Sequence, residues 1–426
     1  MFRFIAADLR RNRIGAAILI LLVALATALG VAVTLQERAL RLGSARAAAP
    51  FDLVIGGAGS ETQLVLSSVF LQPAPLPLLP GSVLAKLRAD PRVSAVAPVG
   101  FGDFVGSYPI VGTTPEAIAM LGGVAEGDGF VHQGDAVVGA AVARQLGSTF
   151  HPFHGTVGEA GEVHSDMEYQ IVGRLVPTGT PWDRAILVPI QTVWDVHADH
   201  AHEHAPEASP LAVAHSHDHH GEDDHHDHAH DEDGEAEPLD ETDIVSGDNP
   251  GVPAIVVKPK SIADAYNLRQ EYRRDTTMAV FPGEVLTRLY GTLGDARRVL
   301  SAVAVGAQAL VAAAILMVIA VHVLQRRRQI GALRAFGASR AVVVGMIWLE
   351  VFLILALGLM LGFGIGYGAA SMLSQRFAQT SGIAMPVTFQ PSDVWTLAVF
   401  LAVAALATLL PAAIAYRQTP AQALRS

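Results

Sequence analysis

Long uncharged apolar runs constrain this chain more than any other feature. A bilayer core of about 30 Å asks for roughly 20 apolar residues in a helix. Ile14–Leu35 meets that demand without a charge, and Val299–Leu324 does so with one histidine, His322, near its end. A third run, Ala341 to about Leu373, is broken only by Glu350, and a fourth extends from Val394 to about Ala415. The fold class expected is therefore a membrane protein with four transmembrane α-helices, at 14–35, 299–324, 341–373 and 394–416. The first run is longer than the apolar region of a cleavable signal peptide, and the small residues Ala45 and Ala47–Ala49 lie well past its end. It reads as a retained span.

Arginines orient the spans, because short cytoplasmic segments are enriched in basic residues. Arg3, Arg10, Arg11 and Arg13 precede the first run. Arg326, Arg327, Arg328, Arg334 and Arg340 stand between the second and third, and Arg417 and Arg425 follow the fourth. Segments 1–13, 325–340 and 417–426 then share the cytoplasmic side, with both termini inside. Segment 36–298 is outside, as is the short loop 374–393. The expected location is a bacterial inner membrane, crossed several times and bordered by lipid.

The outer block is long enough for a domain with its own core. Short β-branched runs recur in it between glycines and prolines: Phe51–Ile55, Val93–Val99, Tyr108–Val111, Ala136–Val138, Tyr169–Leu175, Ala185–Val188 and Ala254–Val257. Helical patterns lie between them at Ser82–Arg88, Pro115–Leu121, Ala140–Leu146 and Ser261–Arg274. The mixture predicts a large α+β extracytoplasmic domain between the first two spans. The chain has no cysteine, so neither disulfides nor thiolate ligands support that domain.

Within the spans, two features stand out. Glu350 is the one acid inside a run, and intramembrane carboxylates are costly enough to suggest a role. Its place near the cytoplasmic end also fits a structural carboxylate reaching headgroups or the arginine cluster. Gly358, Gly362 and Gly366 repeat every four residues and put three glycines on one helical face, which admits a close neighbour. Packing within one subunit and packing between two fit this pattern equally. His322 reads as interfacial.

The loop between the second and third spans reads "QRRRQIGALRAFGASR". Ile330, Leu333 and Phe336 fall on one side of a short helix, which Gly337 can end and Ser339 can follow as a cap for the next helix. From the residues alone, a docking helix and a plain basic connector are both open.

Motifs along almost the whole chain resemble the macrolide-exporter (MacB)/FtsX-like ABC permeases. "RRRQIGALRAFGASR" is similar to their coupling-helix pattern, with Gln329 where the family usually has Glu. The ending "PAAIAYRQTPAQALRS" and the start "LRRNRIGAAILILL" resemble theirs. "AVVGAAVARQLG" followed by "YQIVGRLVPTGTPWDRAILVPI" resembles their periplasmic core domain, with the Thr178–Pro181 turn and Asp183 at its "tG…D" turn. The resemblance implies a non-enzymatic permease, without catalytic residues, that works as a homodimer with a separate ATPase binding the ATP. Coupling would fall to Arg328, Ile330, Gly331, Leu333, Arg334, Phe336, Gly337 and Ser339. It implies mechanical coupling of ATP hydrolysis to a periplasmic domain, for export, lipoprotein handling or a metal-linked process, with a periplasmic adaptor, lipoprotein or metal carrier as candidate partners. No phosphate-binding G-x-x-x-x-G-K-[ST] occurs in the chain, in keeping with an ATPase elsewhere.

One segment departs from that pattern. The formal net charge is −11, yet 17 of the 40 acids fall between Asp195 and Asp243 with no Lys or Arg among them, leaving 23 acids against all 29 bases elsewhere. The basic residues flank apolar runs, so no nucleic-acid surface is expected. Residues 197–230 also hold 12 of the 17 histidines: His197, His200, His202, His204, His215, His217, His219, His220, His225, His226, His228 and His230. Such a composition builds no packed core, so the insert, 195–247, is expected to be disordered. Neutral imidazoles with carboxylates suit Zn(II), Cu(II) or Ni(II), held at many weak sites rather than one geometric one. His132, His151, His154 and His164 have unspecific spacing. The insert keeps two alternatives open: a stand-alone metal transporter, and a membrane-anchored zinc buffer or sensor.

Overall fold

The structure is a computed structural model and describes residues 10, 13–72, 74–154, 167–195, 238–239, 242–247, 249–274, 276–292, 306, 309 and 339–409. It divides into two compact units. One comprises Met1–Ser44, Arg288–Thr380 and Ala384–Ser426; the other comprises Ala45–Thr287 with Ser381–Ile383.

The first unit is built on long helices. Helix α1, Arg13–Ala48, has 36 residues, about 54 Å at 1.5 Å per residue. Its apolar stretch alone accounts for about 33 Å, the thickness of a bilayer core. The remainder, from Gln36 onward, stays helical because it is rich in Ala, Leu, Arg and Glu. A Glu37–Arg41 pair at 2.9 Å, four residues apart, adds local support. Pro50 follows just beyond and biases the residue before it away from helix.

Two further helices of this unit are described, and here they are named α7, Arg340–Ser381 with 42 residues, and α8, Pro391–Ala407. Helix α7 ends where Gly382 takes φ +73°, the left-handed conformation that terminates helices. Helix α8 starts with Pro391 at its first position and a reciprocal capping box between Gln390 and Asp393. Among the described residues, α1 and α7 are long and apolar enough to cross a membrane. The expected span at 299–324 and the segment 325–338 lie outside the described residues.

The second unit is α+β. Its elements in chain order are β1 Leu53–Gly57, α2 Glu61–Ser68, α3 Gly81–Arg88, β2 Val93–Val105, β3 Tyr108–Thr113, α4 Pro115–Met120, β4 Val124–Gly127, β5 Asp135–Val138, β6 Thr149–Phe150, β7 Phe153–His154, β8 Tyr169–Leu175, β9 Ile186–Pro189, α5 Thr242–Ser246, β10 Ala254–Pro259, α6 Ile262–Glu271 and β11 Thr277–Val280. The strands form one sheet in the order β11-β1-β10-β2-β3-β9-β5-β8-β4. Most neighbours are antiparallel; β3 with β9 and β5 with β8 are parallel. The core runs along the sheet through residues such as Leu53, Ile55, Ile171, Ile186, Val188 and Ile255, all essentially inaccessible to water. Burial of such side chains contributes roughly 1.5–3 kcal/mol each.

The helix expected at Ala140–Leu146 is absent: these residues form turns and irregular chain. Backbone groups in and beside the segment find partners elsewhere in the unit instead of within a helix. Gly139 donates to the Ala185 carbonyl at 2.9 Å, Ala141 to that of Asp183 at 2.7 Å and Gly147 to that of Ile171 at 2.7 Å. The Arg174 guanidinium donates to the Val142 carbonyl at 2.8 Å. Once these groups are satisfied by tertiary partners, a local helix offers the segment nothing further.

Candidate functional site

The three glycines of the small-residue stripe face α1 of the same chain. A Cβ added at Gly358 would meet Val23 Cβ at 2.6 Å, and one at Gly366 would meet the Ala28 carbonyl at 2.7 Å. At Gly362 it would meet the Ala24 carbonyl at 2.5 Å and Thr27 Cβ at 2.7 Å. No residue but glycine fits these positions at this helix separation. The stripe continues at the same spacing in Ile354, Ala370 and Ser374, all buried, and α1 answers with buried Val23, Ala24 and Ala28. Because contact positions rise together along both helices, α1 and α7 run parallel.

Near the far end of this seam, polar contacts replace apolar ones. Arg38, just past the apolar run of α1, makes a two-pronged pair with Asp393 at the start of α8, both bonds at 2.9 Å. Asp393 also accepts the Gln390 backbone N–H at 2.9 Å. One carboxylate thus caps α8 and ties it to α1. Ser374 donates to the Met385 carbonyl, and Ser44 shares a short hydrogen bond with Tyr290. At the other end of α7, the Trp348 indole donates to the Ala405 carbonyl at 3.0 Å, so α8 runs antiparallel to α7. Glu350 lies half-buried on α7 two residues further on.

In the outer unit, the sequence singled out the turn at Thr178–Asp183, and it is closely braced. The Asp183 carboxylate accepts from the Thr178 backbone at 2.8 Å, the Thr178 hydroxyl at 2.7 Å and the Gly179 backbone at 2.7 Å. Thr180 caps the following helical turn, Pro181–Arg184, by accepting from Trp182. Trp182 is 1% exposed and its ring lies 5.6 Å from that of Phe51.

The histidine tract, 197–230, is anchored on both sides, and the disorder expected over 195–247 does not reach its end, where Thr242–Ser246 form α5. Before it, the Trp194 indole donates to the Gly251 carbonyl at 2.9 Å. After it, Pro238 bridges to His132 and Leu239 donates to the Val131 carbonyl at 3.0 Å. All twelve histidines of the tract lie outside the described residues, as do Arg328, Ile330, Gly331, Leu333, Arg334, Phe336 and Gly337 of the basic loop. Ser339 is described and exposed; its hydroxyl accepts from Val342 at the start of α7, the capping role its sequence position suggested. Among the described residues, no three His, Asp or Glu side chains come together as a metal site. His132 stands 3.5 Å from Asp135, while His151 bonds the Met167 carbonyl at 2.9 Å.

Residues 301–421 match the family described as FtsX-like permease C-terminal. Over that stretch the chain is similar to the FtsX-like permeases. This bears out the resemblance in the basic loop, which falls inside the matched region, and in the C-terminal ending, which falls inside it as far as residue 421. Families of this type are the transmembrane components of ABC transporters and not their ATPases. Two solved structures align with part of the chain. The periplasmic region of MacB from Actinobacillus actinomycetemcomitans aligns with a TM-score of 0.31 at 9% identity, covering 57% of this chain and 95% of that one. The extracellular domain of the noncanonic ABC-type transporter YknZ from Gram-positive bacteria aligns with a TM-score of 0.27 at 8% identity, covering 54% and 98%. Among curated proteins none matches the chain.

Sequence reasoning passed over Arg38, Gly382 and Asp393, and read Phe51 only as the start of a strand. Asp393 after a proline signals a helix cap, and Gly382 after a long helix signals a helix end. Their long-range partners leave no local trace.

Proposed function

We propose that this permease converts ATP hydrolysis by a separate ATPase into movement of its periplasmic α+β domain. The observation that carries the reading is the match of residues 301–421 to the FtsX-like permeases, which includes the whole basic loop. The parallel course of α1 and α7 supports the four-span topology. Two parallel spans require an odd number of crossings between them, and Val299–Leu324 supplies one. The basic loop then lies on the cytoplasmic side, where Ile330, Leu333 and Phe336 present an apolar face to the ATPase. The work is done by a pair of permease copies in a bacterial inner membrane, and the moving domain serves export, lipoprotein handling or a metal-linked periplasmic process.

The test is co-purification. The permease is extracted in mild detergent with its ATPase, and the Leu333→Asp, Arg334→Glu, Phe336→Asp variant is compared with wild type. Loss of the ATPase with unchanged permease yield is the expected result; unchanged co-purification refutes docking through this loop.

The histidine tract supports a second element of the reading, a transition-metal link. Zn(II), Cu(II) and Ni(II) are titrated into fragment 37–296 with and without residues 197–230. Binding of several ions that disappears with the deletion supports a metal tract, and equal binding by both fragments removes it. Metal transport by the permease alone in liposomes would favour a stand-alone carrier, and metal binding without any associated ATPase would favour a buffer or sensor.

A further inference from the structure

The braced turn between β8 and β9 is touched by the chain just beyond two different long helices. Phe51 stands three residues after the end of α1, and its ring packs on Trp182 of the turn. Gly382 stands immediately after the end of α7 and is buried. It enters the outer unit at φ +73°. A Cβ at Gly382 would meet Pro181 Cα at 3.1 Å, the Thr180 carbonyl at 3.2 Å and Arg184 Cγ at 3.3 Å. The two nearest of these atoms are backbone, which cannot rotate away. All of these contacts lie within the outer unit, which includes Ala45–Thr287 and Ser381–Ile383.

The turn itself has little freedom to absorb a push. Asp183 holds it with three hydrogen bonds. Gly139 lies so close to the backbone of Trp182 and Asp183 that a Cβ would collide with it. On its far side the turn leads through Ala185 directly into β9, whose four residues are all buried, and which is hydrogen-bonded between β3 and β5 in the middle of the sheet. Packed elements of this kind move as units instead of deforming continuously.

We propose that the Thr178–Arg184 turn is the mechanical receiver of the periplasmic domain, taking displacement from the ends of α1 and α7 through Phe51 and Gly382 and passing it to β9. This rests on the reading that ATP hydrolysis moves the domain. Gly382 is then a positioning residue of the transmission path as well as a helix terminator.

The permease and the ATPase that co-purifies with it are placed in lipid nanodiscs. Amide hydrogen exchange is followed without nucleotide and with ATP plus vanadate. Wild type is expected to change its protection across 178–189 when nucleotide is added. Gly382→Asn keeps a residue that accepts the left-handed conformation but places a side chain on the turn; it is expected to lose the nucleotide response at 178–189. Phe51→Leu removes the ring contact without touching that backbone and is expected to weaken the same response. Gly59→Asn, where a side chain would meet nothing within 4 Å, is the control and keeps it. A wild type without any nucleotide response in the outer domain overturns the ATP-driven reading itself. A responsive wild type with equally responsive Gly382→Asn and Phe51→Leu variants overturns the receiver alone.

Discussion

Replacing Gly362 by isoleucine tests the seam between α1 and α7 most directly. A first methyl at that position would sit 2.5 Å from the Ala24 carbonyl, 2.7 Å from Thr27 Cβ and 2.9 Å from Ala24 Cα. Carbon atoms rest at about 3.5–4.0 Å, so the helices must part by about 1 Å for the methyl alone, and further for the rest of the side chain. Two of the three obstacles are backbone atoms, which cannot rotate away. Overpacking costs about 1–3 kcal/mol, and the backbone partners place this case in the upper half of that range. Parting the helices at Gly362 also loosens the contacts at Gly358 and Gly366, the dispersion packing on which helix association in a bilayer depends. A loss of about 2 kcal/mol corresponds to a midpoint lower by about 4–8 °C. The full chain in detergent, heated stepwise and followed by fluorescence-detected size exclusion, gives the measurement. Gly364→Ala is the matched control, since a Cβ there meets nothing within 4 Å. Alanine in place of glycine adds helix propensity, by about 0.8–1.0 kcal/mol, so the control should melt at or above wild type. Equal midpoints for Gly362→Ile and Gly364→Ala would show that the glycine face does not hold these helices together.

Other outcomes follow from the same contacts. Asp183→Ala leaves the half-buried backbone N–H groups of Thr178 and Gly179 without their acceptor; at about 1 kcal/mol for each lost hydrogen bond, the α+β domain should melt a few degrees lower, with Asp183→Asn in between. Asp393→Ala should destabilise more than Arg38→Ala, because it loses the α8 cap at Gln390 as well as the ion pair. A double-mutant cycle on the two should return a coupling of about 1 kcal/mol, and a coupling of zero refutes the clasp. Arg92 bonds hold the Asp90 carboxyl below its ordinary value. A depressed folded value gives stability that is fully present above the unfolded value of about 3.9 and lost as pH falls through the folded one. Thermal midpoints of the outer domain recorded from pH 6 to pH 2 should therefore fall less steeply for Asp90→Asn than for wild type, and identical slopes would refute the assignment.

The sequence by itself determined the long apolar runs, the long block between the first two of them and its mixed strand-and-helix content. These are properties of runs and periods, in which each residue needs only its near neighbours to be read. The FtsX-like resemblance was legible for the same reason, in contiguous motifs of the basic loop and the ending. Asp183 was legible as part of a turn, because its partners Thr178 and Gly179 lie within five residues. The glycine stripe was legible as a face, but its partner was not: that α1 of the same chain covers it depends on packing across more than 330 residues of chain. Tertiary structure alone decided the fate of Ala140–Leu146, where the Asp183 carbonyl and the Arg174 side chain took over backbone groups that a helix would have used. It alone joined Arg38 to Asp393, and brought Phe51 and Gly382 to one turn. Hydrogen bonds and close packing act on distance in space, and distance along the chain carries no record of them.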